Sequence, residues 1–289
     1  MSRLIVNADD FGLTAGGNRA ILELHRAGAL TSATLMARAA AAEEAVEMAR
    51  ATPSLGVGCH MVLVDGDAVL PAREIPTLVD ARTGRFQPTL GAFLKRLLAG
   101  RIRSSEIEAE AAAQISLLQA KGVTLTHIDT HKHTHIFPSV LQPVLRAASR
   151  CGIGAIRNPF EPAWSLRATP GAHRLRRAQV HLLRRLQPAF RKHVAAASLA
   201  TTDGTLGVLA TGTLDSTAVH SILSSIQPGR WELITHPGYN DPDLARTHTR
   251  LLVSRETERT ALESLQELPG IELISFAELY AAKSIQSQG

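Results

Sequence analysis

The sequence predicts an α/β fold: a single-domain (β/α) barrel-like structure of mostly parallel strands, with the functional site at their C-terminal ends. Three observations predict it. Short apolar runs alternate with helical patterns along the chain, which is typical of parallel sheets with crossover helices. Neither a linker nor a repeat divides the 289 residues, and barrels of this length are commonly one domain. Polar motifs follow four predicted strands, at the edge where barrels and open sheets form their active sites.

The N-terminal part gives the alternation in its clearest form. An apolar run at 3–7 predicts a buried strand that breaks into a polar loop at Asp9 and Asp10. A helical apolar face over 14–27 predicts the first helix, which stops at Gly28. The next predicted elements are a strand at 31–36, a helix at 39–51 followed by Pro53, and a strand at 56–63 that carries His60.

An irregular insertion at 65–88 interrupts the pattern, because proline and glycine recur throughout it. Long irregular segments inside compact domains are often functional. The elements predicted after it are helices at 89–99 and 104–121, a strand at 123–129, a helix at 138–150, a short strand at 155–157, a basic helix at 173–192, a helix at 215–226, a strand at 231–235, a helix at 246–267, a strand at 271–274 and a final helix. Outside the basic helix, residues 163–214 carry little pattern.

Composition excludes several classes of protein. Cys59 and Cys151 form neither a disulfide framework nor a CxxC pair, which fits a reducing compartment. The apolar run at the N-terminus is too short for a signal peptide, and no stretch of about 18 apolar residues exists. Aromatic residues make up 4% of the chain and no nucleic-acid motif is present, so we expect no nucleic-acid partner. The sequence predicts a cytoplasmic protein, with a peripheral position at the inner membrane face as an extension.

That extension depends on a basic amphipathic segment, predicted as a helical insertion around 172–192. It contains seven arginines and lysines, no acidic residue, and interleaved leucines. Such a helix can contact anionic lipid headgroups or an acidic partner. The commoner arrangement is a solvated helix whose leucines dock on the main body. The net charge of the whole chain is +5, and the excess of positive charge is concentrated in this segment.

Four of the twelve histidines fall within 127–135. In an extended conformation the side chains alternate between faces, so one face would carry His127, Asp129, His131, His133 and His135. Imidazoles at this density do not fill an apolar core, and a solvated surface does not require this spacing. The cluster therefore predicts a polar pocket that binds a metal through histidine nitrogens. A histidine-rich surface turn is the alternative.

Companion motifs supply the other groups that a hydrolytic metal site needs. Such a site takes about three protein ligands, an open position and a nearby acid and base. Asp9 and Asp10 are adjacent, so one can bind the metal while the other remains a base. His60 lies near the C-terminal end of a predicted strand, and His236 follows one. The structural alternatives are a helix N-cap pair for the two aspartates and a satisfied core histidine for His60.

Together these motifs resemble the YdjC/ChbG family of carbohydrate deacetylases. The motifs that carry the resemblance are Asn-Ala-Asp-Asp-Phe-Gly-Leu at 7–13, Gly-Cys-His at 58–60, His-Ile-Asp-Thr-His-Lys-His at 127–133 and His-Pro-Gly-Tyr at 236–239. They occur in family order and extend over most of the chain. The resemblance implies a (β/α) barrel-like fold and metal-dependent removal of an N-acetyl group from an N-acetylglucosamine-type sugar.

The resemblance also implies roles for single residues. The metal ligands would be Asp10, His60 and His131, Asp9 would be the general base on the attacking water, and His236 the acid that protonates the leaving amine. Further implied or candidate substrate contacts are His133, His135, Arg157 and Tyr239, with second-shell support as the alternative for the two histidines. One divalent metal ion is implied: zinc by ligand type, with magnesium, manganese, iron and cobalt as alternatives.

A narrower resemblance concerns the insertion, at 61–66, 69–71 and 75–80, and the segment 157–162. Both are similar to the branch of the family associated with hopanoid biosynthesis, which implies a lipid-linked N-acetylglucosaminyl substrate in a membrane. Three alternatives stay open: a deacetylase of soluble chito-oligosaccharides, a metallo-phosphoesterase, and a non-catalytic sugar- or metal-binding protein. Oligomeric state is open as well, a homodimer included.

Overall fold

A computed structural model describes residues 1–247, 249–265 and 269–286. In this part of the chain one parallel sheet holds all seven strands, in the order β4-β3-β2-β1-β6-β5, with β7 paired to β1. The strands are β1 (Ser2–Phe11), β2 (Ser32–Leu35), β3 (Gly56–Met61), β4 (His127–Thr130), β5 (Gly204–Leu206), β6 (Gly229–Thr235) and β7 (Ile271–Leu273). The sheet curves into a half-barrel, which confirms the predicted fold class.

Helices surround this sheet and connect its strands. They are α1 (Ala15–Arg26), α2 (Ala42–Ala51), α3 (Leu90–Leu98), α4 (Ser104–Ala120), α5 (Pro138–Arg150), α6 (Ala163–Ala168), α7 (Arg174–Leu183), α8 (Gln187–Ala196), α9 (Ser216–Ser224), α10 (Pro242–Ala245), α11 (Val253–Glu263) and α12 (Phe276–Gln286). Two short 3₁₀ turns lie at His131–Ile136 and Arg184–Leu186. No helix among the described residues is both long and apolar enough to cross a bilayer.

The two faces of β1 bury different side chains. Leu4 and Val6 belong to the large apolar core, while Ile5 belongs to a separate small cluster with Phe276 of α12. Because side chains alternate along a strand, Asn7 and Asp9 share the inner face with Ile5. The inner face is therefore apolar near the start of the strand and polar towards its C-terminal end, and this gradient positions the site.

The strand ends differ from the prediction at two places that matter for the site. β1 continues through Phe11 with a register irregularity after Ala8, so Asp9 and Asp10 lie in the strand and not in a loop after it. β4 ends at Thr130, and Lys132 and His133 adopt left-handed backbone angles. The extended conformation that would put five side chains of 127–135 on one face therefore stops after Thr130.

Elements outside the site also differ in part from the predicted helices and strands. The unpatterned region contains the short strand β5, and 155–157 forms only isolated bridges. Within the helix predicted at 246–267, the described residues form only α11, while α10 ends before that range and residues 248, 266 and 267 lie outside the described ones. The insertion at 65–88 is irregular as predicted, with two isolated antiparallel bridges.

The basic segment is a broken helix, α7 followed by a 3₁₀ turn and α8. No residue of α7 is buried. Leu175 is 69% exposed and Leu182 is 57% exposed, while Arg177 donates hydrogen bonds to the carbonyls of Leu166 and Thr169. The prediction that the leucines dock on the body is therefore wrong for these two, because an arginine holds the helix to the body and the leucines face solvent.

Candidate metal centre

Three side chains from the ends of three strands converge at the C-terminal edge of the sheet. The Oδ1 atom of Asp10 lies 3.4 Å from Nε2 of His60 and 3.5 Å from Nδ1 of His131, and the two nitrogens are 3.3 Å apart. That Oδ1 atom is buried and accepts no hydrogen bond from the described residues. Two imidazole nitrogens and a carboxylate oxygen at this spacing form a candidate metal site.

The backbone of Asp10 explains how two neighbouring aspartates both serve the site. Consecutive residues of a regular strand point to opposite faces. Asp10 has a φ of 63°, a left-handed conformation that aspartate tolerates better than most residues, and it falls within the irregular stretch of β1. Asp9 keeps its inner position, and the turn at Asp10 brings the second carboxylate to the same end of the half-barrel.

His60 is oriented by Asp129, its register partner on β4. The Nδ1 atom of His60 is 2.8 Å from Oδ1 of Asp129, which leaves Nε2 directed at Asp10. Carboxylates commonly hold metal-binding histidines in this way. Burial alone would lower the pKa of this imidazole, but Asp129, Asp10 and Asp9 together raise it to about 10. The surroundings of His60 therefore strongly favour a positive charge.

A buried arginine holds Asp9. Nη1 and Nη2 of Arg157 lie 2.8 Å and 2.6 Å from the two carboxylate oxygens of Asp9, and Nε donates to Glu232 at 2.7 Å. The guanidinium also pairs with Asp129. Although burial alone would raise the pKa of Asp9, Arg157, His60 and His236 hold it far below the usual range. Asp9 is therefore ionised and fixed in orientation.

The buried position of Arg157 does not fit the prediction that it contacts substrate, because its side chain has no solvent exposure and pairs with three carboxylates.

The contacts of Arg157 also distinguish between two groups of described residues that could hold a metal ion. A second candidate group consists of Asp9, His60 and Asp129. Arg157 already pairs with both of its carboxylates, so the group around Asp10 is the one left free for a cation.

His236 faces Asp9 from β6. Its Nε2 atom is 3.9 Å from Oδ2 of Asp9, and its Nδ1 atom is 3.6 Å from Oε2 of Glu258 on α11. The backbone N–H of His236 donates to the same Glu258 oxygen at 2.6 Å. Burial would lower the pKa of His236, but Glu258, Asp9 and Asp10 raise it above the usual value. An imidazole of raised pKa and a carboxylate of lowered pKa thus face each other beside Asp10.

The other predicted substrate contacts differ in their surroundings, and two of them, His133 and His135, lie in the 3₁₀ turn. His135 is fully buried, with Nδ1 bonded to Thr130 and Nε2 near the carbonyl of Arg157, so it supports the wall of the site and does not fit a substrate contact. His133 is partly exposed and its Nδ1 atom has no partner among the described residues. Tyr239 donates a hydrogen bond to Glu23, and the guanidinium groups of Arg19 and Arg259 lie over its ring.

Four supporting residues were not assigned a role from sequence. They are Asp129, Glu232, Arg255 and Glu258. Glu232 carries a signal, because a carboxylate in the middle of the apolar strand β6 needs a buried partner. The sequence carries a signal for Asp129 too, since in an extended strand it lies on the same face as His131. Arg255 and Glu258 lie in an ordinary charged helix, and nothing in its pattern separates them from exposed neighbours.

The fold and the cluster define a (β/α) barrel-like protein with a candidate metal centre at the C-terminal ends of its strands. Residues 3–267 match the family model described as YdjC-like protein, and the chain belongs to this family.

Two relatives agree with this assignment, and one solved structure agrees with the fold. A carbohydrate deacetylase of Geobacillus stearothermophilus is 34% identical over 282 residues, covering 96% of this chain and 97% of that protein. A carbohydrate deacetylase of Brevibacillus brevis is 41% identical over 158 residues, covering 55% of this chain and 60% of the other. The crystal structure of an Enterococcus faecalis protein superposes with a TM-score of 0.77 at 24% identity, over 96% of this chain and 99% of that one, and it supports the fold.

Proposed function

We propose that this protein is a metal-dependent carbohydrate deacetylase, which hydrolyses the N-acetyl group of an N-acetylglucosamine-type sugar. The observation that carries the proposal is the unpartnered Oδ1 atom of Asp10, which faces two imidazole nitrogens and lies beside an ionised carboxylate and a histidine of raised pKa. The names of the relatives from Geobacillus and Brevibacillus support the same activity.

The residues of the site fit a divalent metal. Asp10, His60 and His131 supply one oxygen and two nitrogens, a set that suits zinc and also accepts magnesium, manganese, iron or cobalt. A metal bound there supplies Lewis-acid polarisation of the amide carbonyl and a lowered pKa for water. A metallo-phosphoesterase usually uses a second metal, and Arg157 occupies the carboxylates that a second ion needs.

Asp9 and His236 divide the proton transfers between them. Asp9 is ionised, and both its oxygens are held by Arg157, so it is oriented to take a proton from the attacking water. His236 is held by Glu258 and keeps a proton that it can donate to the leaving amine. Their facing atoms are 3.9 Å apart, so both groups reach the same small volume. A binding protein without turnover has no need of such an opposed pair.

We further propose that the substrate is lipid-linked, with soluble chito-oligosaccharides as the alternative. The support is an outward surface of α7 and the 3₁₀ turn after it, which we call the basic docking face and define by Leu175, Leu182, Arg174 and Arg185. All four side chains are exposed. No acidic residue occurs between Glu161 and Asp203, whereas this stretch has eight basic residues.

The chemistry of the basic docking face suits an anionic bilayer. Each leucine contributes about 1.5–3 kcal/mol when fully buried, and each basic residue about 1 kcal/mol near an anionic surface. The face is also linked to the site. On α7, Nη2 of Arg176 donates to the carbonyl of Val208 at 3.0 Å, and Val208 follows the C-terminal end of β5, at the edge of the sheet that carries the site. A bilayer bound to α7 would therefore bring a lipid-linked sugar to the side of the protein that carries the site.

Acetate release tests the activity. The purified full chain, loaded with Zn²⁺, is incubated with diacetylchitobiose and, separately, with an N-acetylglucosaminyl hopanoid in vesicles. We expect acetate from the lipid at a higher kcat/KM. Acetate from diacetylchitobiose alone would support the soluble substrate, and no acetate from either substrate with metal bound would refute the deacetylase.

Flotation with vesicles tests the docking face. The wild type is expected to float with vesicles that contain anionic lipid, and the variant Leu175→Ser/Leu182→Ser/Arg185→Gln is expected to remain at the bottom of the gradient. Leu98→Ser is the matched control, because Leu98 is 79% exposed on α3 outside the basic segment. Equal flotation of the triple variant and the wild type would refute the docking face.

A further inference from the structure

The two carboxylate oxygens of Asp10 have different surroundings. Oδ1 faces the two imidazoles, whereas Oδ2 accepts a hydrogen bond from Nη2 of Arg255 at 2.5 Å. The side chains of both residues are 4% exposed, so water does not screen this pair well. One oxygen of the proposed metal ligand is therefore already committed to a protein cation.

Arg255 is itself held in place. Its Nε donates to the carbonyl of Leu251 at 3.0 Å, and its own carbonyl accepts from the N–H of Gly238 at 3.1 Å. Gly238 packs against the arginine side chain, since a Cβ built there lies 3.4 Å from two of its carbons. Gly238 follows His236 by two residues, so the segment that carries the proposed acid also braces the arginine.

The same turn of α11 reaches both halves of the site. Arg255 bonds to Asp10, and Glu258, three residues later, bonds to His236. Residues three apart lie on one face of a helix, so this face orients a proposed metal ligand and the proposed acid together. Among these contacts, the pair between Arg255 and Asp10 has no part in the proton transfers described above.

We propose that Arg255 is a positioning residue that restricts Asp10 to one metal-facing oxygen; the inference rests on the proposed metal-dependent activity. A carboxylate with both oxygens free can bind a cation through both, whereas a catalytic site has to keep a coordination position open. The arginine occupies Oδ2 and places a fixed positive charge beside the cation. It thereby lowers metal affinity in exchange for an open and oriented site.

The proposed role and a purely structural role predict opposite changes in metal affinity when Arg255 is lost. If Arg255 only anchors α11 to β1, its loss should weaken metal binding, stability and turnover together. If it restricts Asp10, its loss should strengthen metal binding while kcat falls. The comparison of the two quantities therefore separates the hypotheses without knowledge of the substrate.

The experiment uses Arg255→Met in the full chain, with Zn²⁺ alone titrated against a chelating indicator and Co²⁺ absorption as a report of coordination number. Loss of one nearby unit charge should tighten Zn²⁺ binding about fivefold or more, while kcat for acetate release falls about tenfold or more. The Co²⁺ spectrum should shift towards a higher coordination number. Arg255→Lys, which keeps the charge, should return both constants towards the wild type.

Arg259→Met is the matched control for metal affinity, because Arg259 lies one turn further along α11 and contacts Glu256, Glu263 and the ring of Tyr239, none of which is a proposed metal ligand. It should leave Zn²⁺ affinity unchanged. Weaker Zn²⁺ binding by Arg255→Met, or an unchanged kcat, would overturn the inference. If that variant does not fold, Arg255→Gln replaces it with the same expected signs. Absence of acetate from the wild type would refute the proposed function, while the Zn²⁺ and Co²⁺ measurements would still decide the role of Arg255.

Discussion

The contact between Glu258 and His236 gives a prediction about the pH dependence of activity. Glu258→Gln removes the negative charge but keeps an oxygen that can accept from the backbone N–H of His236. The charged groups that face His236 are Asp9 and Asp10 on β1 and Glu258 on α11, and all three raise its pKa. The substitution removes one of these three contributions and leaves the shape of the site unchanged.

The magnitude follows from the separation of 3.6 Å between Nδ1 of His236 and Oε2 of Glu258. Two unit charges at this distance attract by about 1 kcal/mol in water and about 4.6 kcal/mol at an effective dielectric constant of 20. One pKa unit corresponds to about 1.4 kcal/mol. The variant should therefore lower the pKa of His236 by about 1–3 units.

The assay is the pH profile of kcat/KM for acetate release. His236 has to be protonated to act as the acid, so activity is lost as pH rises through its pKa, and the alkaline limb of the profile reports this group. In Glu258→Gln that limb should move to lower pH, while activity below the new limb approaches the wild type. Glu256→Gln is the control, because Glu256 is exposed on the same helix.

An alkaline limb of Glu258→Gln that coincides with the wild-type limb would refute the assignment of His236 as the acid held by Glu258. Thermal unfolding of both variants separates this result from loss of the fold. If Glu258→Gln unfolds at the same midpoint temperature as the control and its alkaline limb is shifted, the effect on the acid is electrostatic.

Three further predictions concern the metal and the inner face of the sheet. His131→Ala should lose stoichiometric metal, measured by elemental analysis, whereas Asp9→Asn should keep the metal and lose about 10²–10⁴ in kcat. Asp129→Asn should weaken metal affinity about 10–100-fold in a chelator titration, because it removes the carboxylate that orients a ligand imidazole. Gly58→Ala should lower stability by about 1–3 kcal/mol in urea unfolding, because the added Cβ would lie 2.6 Å from the ring of His127.

Much of the fold follows from local patterns in the sequence. Buried parallel strands are short apolar runs, and helices between them carry an apolar face, so the order of elements can be predicted before any contact is known. The helix at 138–150 agrees with α5 in both bounds. β5 has three residues, too few for a periodic pattern, and its position depends on pairing with β6.

The site is predictable where chemistry and strand ends coincide. Asp10, His60 and His131 come together because the parallel strands β1, β3 and β4 end at the same edge, and the left-handed backbone of Asp10 turns its carboxylate towards the two histidines. The alternate spacing at 127–135 predicts too many side chains on one face, since the left-handed backbone of Lys132 and His133 ends the alternation. Left-handed conformations at such residues depend on tertiary contacts, here an ion pair between Lys132 and Asp65, and sequence periodicity does not contain them.

The supporting charges form a layer that the periodic pattern does not predict. Arg157 lies among Asp9, Asp129 and Glu232 with all four side chains at or near zero exposure. A buried charge without partners is costly, so each of these residues is tolerated only because the others are present. The layer adjoins the candidate metal centre, because Asp129 also contacts Nδ1 of His60 at 2.8 Å.

Two arginines give the two aspartates different constraints. Arg157 binds both oxygens of Asp9, which keeps this carboxylate ionised and leaves neither oxygen free of a protein cation. Arg255 binds one oxygen of Asp10, so the other has no hydrogen-bond partner among the described residues. Under the proposed function, two adjacent residues of the same type would acquire different roles from the number of oxygens that an arginine occupies. The proposed division between base and ligand would then depend on Arg157 and Arg255, which lie far from both aspartates in sequence.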